Sequence, residues 1–371
     1  EKALDVFFII SGFLIGGMLM REQNRHGRIS LKRFYYKRFM RLSPVYYLAI
    51  FLSLAMVPNR DTVWANIIYL NNFITESEMF MPWSWSLAVE EQFYLLFSLF
   101  MVFLFYKKGL GLKTLVILFL SSFIVRAGVV LANWDLVTQP YSNYFLMGVE
   151  ETYSPKYFDQ LYANLYTRYG ALLCGVIAAY IHSYHSEKVK QFFANTTRTN
   201  MLLILSAVII VVPTIMPIQS TEFMLSPVFG FLNAVFGRNI FSIALTLILM
   251  AAIYPVGSLA KVINRFLSFR IWYPFAQLSY SVYLFHMLFL IIVFLMAKNM
   301  AAQPQVDMSF GVMQGFILFV CVLVPTLFFS MFTYLFVERP FINLANNRTR
   351  KIDDDSYENM DDPEAGEPVI A

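Results

Sequence analysis

An all-α, polytopic transmembrane helix bundle is the fold class this chain predicts, and three observations predict it. Of 371 residues, 58% are hydrophobic and only 14% charged, with a mean hydropathy of +0.58; soluble domains carry about 25% charged residues. Nine apolar runs are long enough to be spans, each approaching the roughly 20 residues a bilayer needs. The segments between them alternate in Lys and Arg content, the pattern that orients membrane helices.

The runs fall at roughly 4–20, 42–57, 85–106, 112–132, 164–183, 200–217, 230–255, 272–297 and 311–337. Gly237-Arg238-Asn239 interrupts the seventh, which reads as one span or as a short helix before a full one. Pro325 is expected to kink the ninth. The 38 Phe and 22 Tyr gather near span ends, as interfacial belts do. Cys174 and Cys321 both sit in apolar runs and read as small core residues. No CxxC, HExxH, Walker or GxGxxG pattern occurs. Nothing therefore points to a metal, a nucleotide-hydrolysing site or a nucleic-acid partner.

Loop 21–41 holds eight Lys/Arg, and 107–113, 184–199, 256–271 and the tail after 337 hold three or four each. The intervening segments hold one at most. Counted this way, the basic loops and the tail lie in the cytoplasm and Glu1 outside. A cytoplasmic N-terminus then requires one more span before Glu1, ten in a complete protein. Residues 346–371, with Asp353-Asp354-Asp355 and Asp361-Asp362, are expected to be an acidic, disordered cytoplasmic tail.

Ionisable groups inside such spans are costly and mark functional sites. Glu90 opens the run to Tyr106, and Ser86, Glu90 and Tyr94 share one helical face at four-residue spacing. Glu91 points about 100° away. The plainer reading is a helix-start carboxylate favoured by the macrodipole; it suits Glu91 better than Glu90. Arg38 and Arg41, three apart at the start of a span, match the fork geometry that phosphate takes. The rival reading is a basic anchor against anionic membrane lipids. Asp5 stands at the outer end of the first run, as an interfacial residue or one that orients a partner. Gly12 and Gly16 form a GxxxG that permits close helix approach.

Ser279, Tyr283 and His286 follow the i, i+4, i+7 rule, with His286 either a hydrogen-bonded core residue or a proton carrier. Arg168 enters a span from outside, to snorkel to headgroups or to pair with a carboxylate such as Glu90. His182 and His185 read as interface residues, and Glu338-Arg339-Pro340 as a structural helix end.

DVFFIISGFLI (5–15), RFMRLSPVYY (38–47), WSLAVEEQFY (85–94), TRYGALLCG (167–175), LSYSVYLFH (278–286) and FVERPF (336–341) together resemble the acyltransferase-3 family. The six motifs occur in the family's order and cover nearly the whole chain. The resemblance implies a transmembrane acyltransferase domain over 1–345 in a ten-helix bundle, in the bacterial inner (plasma) membrane. It implies transfer of an acyl group, usually acetyl, from cytoplasmic acetyl-CoA, with no permanently bound cofactor. The acceptor is a hydroxyl of an extracytoplasmic carbohydrate or lipid-linked molecule. It assigns Arg38 and Arg41 to the phosphates of CoA and an orienting or charge-balancing role to Glu90, with Asp5, Tyr94, Arg168, Tyr283 and His286 in support. The family's essential histidine falls shortly before the motif matching Asp5–Ile15, upstream of Glu1, so the chain as it stands is expected to be inactive alone. A transporter or flippase for a glycan or lipid precursor also fits a bundle with few buried charges; the lack of a visible inverted repeat weighs against it.

Overall fold

The computed structural model describes residues 3–106, 111–138, 156–215, 226–300 and 312–358. In chain order its helices are α1 (Ala3–His26), α2 (Leu31–Ser53), α3 (Val63–Ile67), α4 (Trp85–Tyr106), α5 (Leu112–Ala132), α6 (Asp135–Thr138), α7 (Leu165–Tyr184), α8 (Ser186–Ala194), α9 (Thr196–Ile215), α10 (Pro227–Leu232), α11 (Arg238–Ile253), α12 (Ser258–Leu267), α13 (Trp272–Met300), α14 (Val312–Thr333) and α15 (Arg339–Glu358). Among the described residues there is no strand. Among the described residues, six helical stretches are long and apolar enough to cross a membrane, or seven if the sharply bent pair α8 and α9 forms one span. The protein is therefore an all-α integral membrane protein. Every one of the nine apolar runs coincides with a helix. The runs at α2 and α7 are not among the stretches that qualify on length and composition, because charged and polar residues dilute them.

The chain forms two units: Glu1–Ile29 with Val57–Tyr273, and Ser30–Met56 with Pro274–Ala371. In the first, α1 packs along α7. A Cβ built on Gly16 would lie 3.3 Å from Val176 Cα, and one on Gly175 would lie 2.6 Å from the backbone nitrogen of Phe13. Gly12 similarly faces the Leu172 carbonyl. The GxxxG thus does bring two helices together, and the partner is α7. The seventh run is α10 followed by α11, joined through a π-helical turn at Asn233–Gly237, and counts as one candidate span, Pro227–Ile253.

The second unit corrects the boundary of the basic segment. α1 continues to His26 and α2 begins at Leu31, so only residues 27–30 separate them. Gly27 turns the chain at φ +64°, and Ser30 caps α2 by accepting the Arg33 N–H. Arg38 and Arg41 therefore sit in mid-helix. Pro44 lies inside α2, where it withholds a hydrogen bond from the Met40 carbonyl one turn back. Phe285 of α13 meets Phe329 of α14 edge-on at 4.8 Å, and the Tyr334 hydroxyl donates to Gln277 Oε1 at 2.7 Å. α15 carries helical backbone through 346–358, part of the stretch expected to be a tail. Residues 359–371, with Asp361 and Asp362, and the basic residues Lys107 and Lys108 lie outside the described residues.

Candidate active site

In the first unit α1 and α4 place a proton-holding chain between them. Tyr94 lies one turn beyond Glu90 on α4, so its hydroxyl reaches Glu90 Oε2 at 2.7 Å. Ser11 of α1 hydrogen-bonds the same hydroxyl. The face shared by Glu90 and Tyr94 therefore points at α1, and a carboxylate joins a row of two hydroxyls. Segment 57–84 is fastened to α4 beside it. Gln92 donates to the Tyr69 carbonyl at 2.8 Å and to Asn72 Oδ1 at 2.7 Å. Tyr69 holds a left-handed backbone (φ 57°), a strained choice for a residue with a Cβ. Ser84 accepts from Asn66 at 2.9 Å and from Asn71 at 3.1 Å.

Asp5 and Arg168 are brought together, and Glu90 is not Arg168's partner. Asp5 is about 1% exposed; one oxygen takes Arg168 Nη1 at 3.0 Å and the other Arg238 Nη1 at 3.0 Å. Arg168 does not snorkel: it is 2% exposed, and its Nε donates to the Tyr162 carbonyl at 2.5 Å. Its guanidinium lies 4.3 Å from the centre of the Tyr162 ring and 5.0 Å from that of Trp85, the first residue of α4. Arg126 of α5, also buried, donates from Nε to the Ala234 carbonyl in the π-turn at 2.7 Å and from Nη1 to the Thr167 carbonyl at 2.8 Å. Arg126 and Arg238 are not among the site residues that the sequence predicts. The signal for both was a cation inside an apolar run.

In the segments that precede α4 and α7, Asp159 Oδ1 accepts the Glu76 N–H at 2.9 Å. Partial burial, with Asp159 close by, pushes the Glu76 carboxyl up to about 7. Burial raises Asp159 as well, with Glu78 adding to it, against the lowering effect of the hydrogen bond it accepts.

The second unit holds the other predicted residues. Arg38 is half-buried and Arg41 exposed. Glu338, 3% exposed in the π-turn Tyr334–Glu338, accepts from Ser281 Oγ at 3.4 Å and lies within electrostatic reach of Arg41. The sequence reading gave Glu338 a structural role at a helix end; here it is a buried carboxylate between the RxxR helix and α13. His286 Nδ1 lies 2.7 Å from the Tyr283 carbonyl, so Nδ1 carries the proton and Nε2 is left as the basic nitrogen of the neutral ring. The Tyr283 and His286 rings are 5.8 Å apart. Among the described residues no three His, Cys, Asp or Glu side chains gather as metal ligands would.

Comparison with known proteins bears on these residues. The acyltransferase-domain profile of the acyltransferase-3 family matches residues 3–335. An uncharacterized protein of Haemophilus influenzae is 34% identical over 142 residues, covering 33% of this chain and 57% of that protein. The nose resistant to fluoxetine protein 6 of Caenorhabditis elegans is 23% identical over 325 residues, 76% of this chain and 38% of its own length. The O-acetyltransferase OatA of Staphylococcus aureus is 33% identical over 126 residues, 28% of this chain and 20% of its own. The chain thus spans less than two thirds of each of these relatives. No solved structure matches it.

Proposed function

Because the chain belongs to the acyltransferase-3 family, we propose that it works as a membrane O-acyltransferase, moving an acetyl group from acetyl-CoA to a hydroxyl of an extracytoplasmic glycan or lipid-linked acceptor. The observation that carries this reading is the Glu90–Tyr94–Ser11 chain at the opening of a membrane span. A half-buried carboxylate in a row with two hydroxyls orients an acceptor O–H and balances the positive charge that develops on the group taking its proton. The acceptor oxygen attacks the thioester carbonyl, a C–O bond forms, the C–S bond breaks, and the proton leaves with the CoA thiol. In this reading Glu90 positions the acceptor hydroxyl and charge-balances the site.

Arg38 and Arg41 are assigned to the donor's phosphates. Their spacing on α2 supports that, as does their position in a helix rather than a loose juxtamembrane loop. The test uses the full-length protein in membranes supplied with acetyl-labelled acetyl-CoA. Alkali-labile label on carbohydrate or lipid-linked material is expected. Movement of an unmodified glycan precursor across the membrane, with no acetyl-CoA consumed, would assign the chain to transport instead.

A further inference from the structure

A cavity of about 470 Å³ opens between the last turns of α7 and α11, the first residue of α5 and helix α8. All but three of its lining residues are apolar, among them Ile177 and Ile181 of α7, Leu247 of α11 and Phe193 of α8. Of the three polar ones, Thr246 spends its hydroxyl on the Ser242 carbonyl at 2.7 Å. The other two, His185 and Lys188, stand three apart where α7 gives way to α8, on one side of its first turn. Neither side chain makes a hydrogen bond or an ion pair among the described residues. Glu187 between them is taken by Lys190 at 2.6 Å. The cavity is therefore an apolar slot with free polar donors at one end only. Helix α8 is built to wall it. Val189 and Phe193 are buried in one cluster with Met250 and Tyr254, while Ser186, Glu187, Lys190 and Gln191 occupy the rest of the helix. α8 meets α9 at 92°. Thr199 Oγ1 pins the bend by donating to the Phe193 carbonyl at 3.0 Å.

A short amphipathic helix set across the axis of an adjoining span lies in the membrane interface. The charge alternation places 184–199 on the cytoplasmic side, whose leaflet carries anionic lipids. We propose that the slot binds one acyl chain of an anionic phospholipid, with the lipid phosphate held by Lys188 and His185 beside it. A soluble phosphate ester would leave the apolar walls uncovered, and a neutral lipid would leave Lys188 without an answering charge. Surrounding lipid tails are as apolar as the slot, so the chain gains little by entering it. Headgroup charge therefore sets the preference, and the slot fixes where that lipid stays. None of these residues is assigned a part in acyl transfer.

The test is native mass spectrometry of the whole chain in detergent, titrated with dioleoyl phosphatidylglycerol, dioleoyl phosphatidylcholine or glycerol 1-phosphate. The first lipid retained should be phosphatidylglycerol, with a Kd about fivefold below that of phosphatidylcholine, the weight of one basic side chain at a membrane surface. Glycerol 1-phosphate should not be retained. Lys188→Gln, at an exposed position, should bring the phosphatidylglycerol Kd up to that of phosphatidylcholine and leave the latter unchanged; Lys188→Arg should restore the difference. Lys261→Gln on α12, a basic residue that does not line the cavity, should change neither. Leu247→Trp, which fills the slot, should weaken both lipids together. Equal affinity for the two lipids overturns the site, as does an unchanged preference in Lys188→Gln or an equal loss in Lys261→Gln. Binding of glycerol 1-phosphate as tight as that of phosphatidylglycerol would make the slot irrelevant and overturn it too.

Discussion

Adding one methyl group at Gly175 should damage this protein more than any surface change. The Cβ would sit 2.6 Å from the Phe13 nitrogen and still nearer the Ile9 carbonyl, both backbone atoms of α1. Ordinary contact for such atoms is about 3.5 Å. Neither can rotate aside, so α1 must retreat by more than about 1 Å. Overpacking costs roughly 1–3 kcal/mol, and backbone against backbone puts this site at the upper end. Unfolding entropy of about 2.1 cal/mol/K per residue gives about 0.8 kcal/mol/K for 371 residues, so the expected fall in Tm is about 4 °C. The displaced helix also carries Asp5 and Ser11, so the loss should exceed this figure. Gly128→Ala on α5 is the control: nothing lies within 4 Å of its Cβ, and it should gain about 0.5–1 kcal/mol. Differential scanning fluorimetry of both variants in the same detergent decides. Equal tolerance of Gly175→Ala and Gly128→Ala would refute the close α1–α7 approach.

Other expectations are simpler to check. Replacing Arg38 and Arg41 together with Ala should weaken acetyl-CoA binding at least tenfold, since each charge-assisted contact is worth about 1.5–3 kcal/mol; unchanged titration of the donor would leave the pair as a lipid anchor. Glu76 sits at about 7 in the fold against a usual 4.5, so the folded state binds the extra proton. Its contribution is then present in full below pH 4.5 and lost as pH rises through 7. Glu76→Gln should flatten the Tm–pH curve over that window, and a slope identical to the parent's would contradict the assignment. Impermeant thiol reagents should label a cysteine placed at Asp61 from outside intact cells and one placed at Arg265 only after permeabilisation; the reverse pattern would invert the topology.

Much of this architecture was legible in one dimension because run length and charge placement are local properties. Each apolar run became a helix, and the GxxxG at Gly12 and Gly16 became a helix contact. Boundaries failed where a helix outlasts its apolar stretch: α1 and α2 extend into residues 21–41, which hydropathy alone renders as a loop. Within one helix the site was readable too, since Glu90 and Tyr94 are four apart and do bond. Partners across the chain were not. Arg168 meets Asp5, 163 residues away, and not Glu90, because pairing depends on which helices pack and α7 packs on α1. In the sequence Arg238 stands out only as an interruption of an apolar run. The π-turn before it, which delivers the Ala234 carbonyl to Arg126, leaves no mark in composition. Glu338 is masked in the sequence by its flanking Arg339 and Pro340, which resemble an ordinary helix end.

The central claim, that Glu90 serves acyl transfer, is tested most directly by Glu90→Gln in the full-length protein. The carboxamide keeps the side chain's shape and can still accept from Tyr94, but it loses the charge. Initial rates of acetyl transfer from labelled acetyl-CoA should fall at least a hundredfold, within the roughly 10²–10³ range for loss of one preorganised electrostatic group. Membrane protein level and acetyl-CoA affinity should stay near those of the parent. Parental turnover by Glu90→Gln would contradict the account.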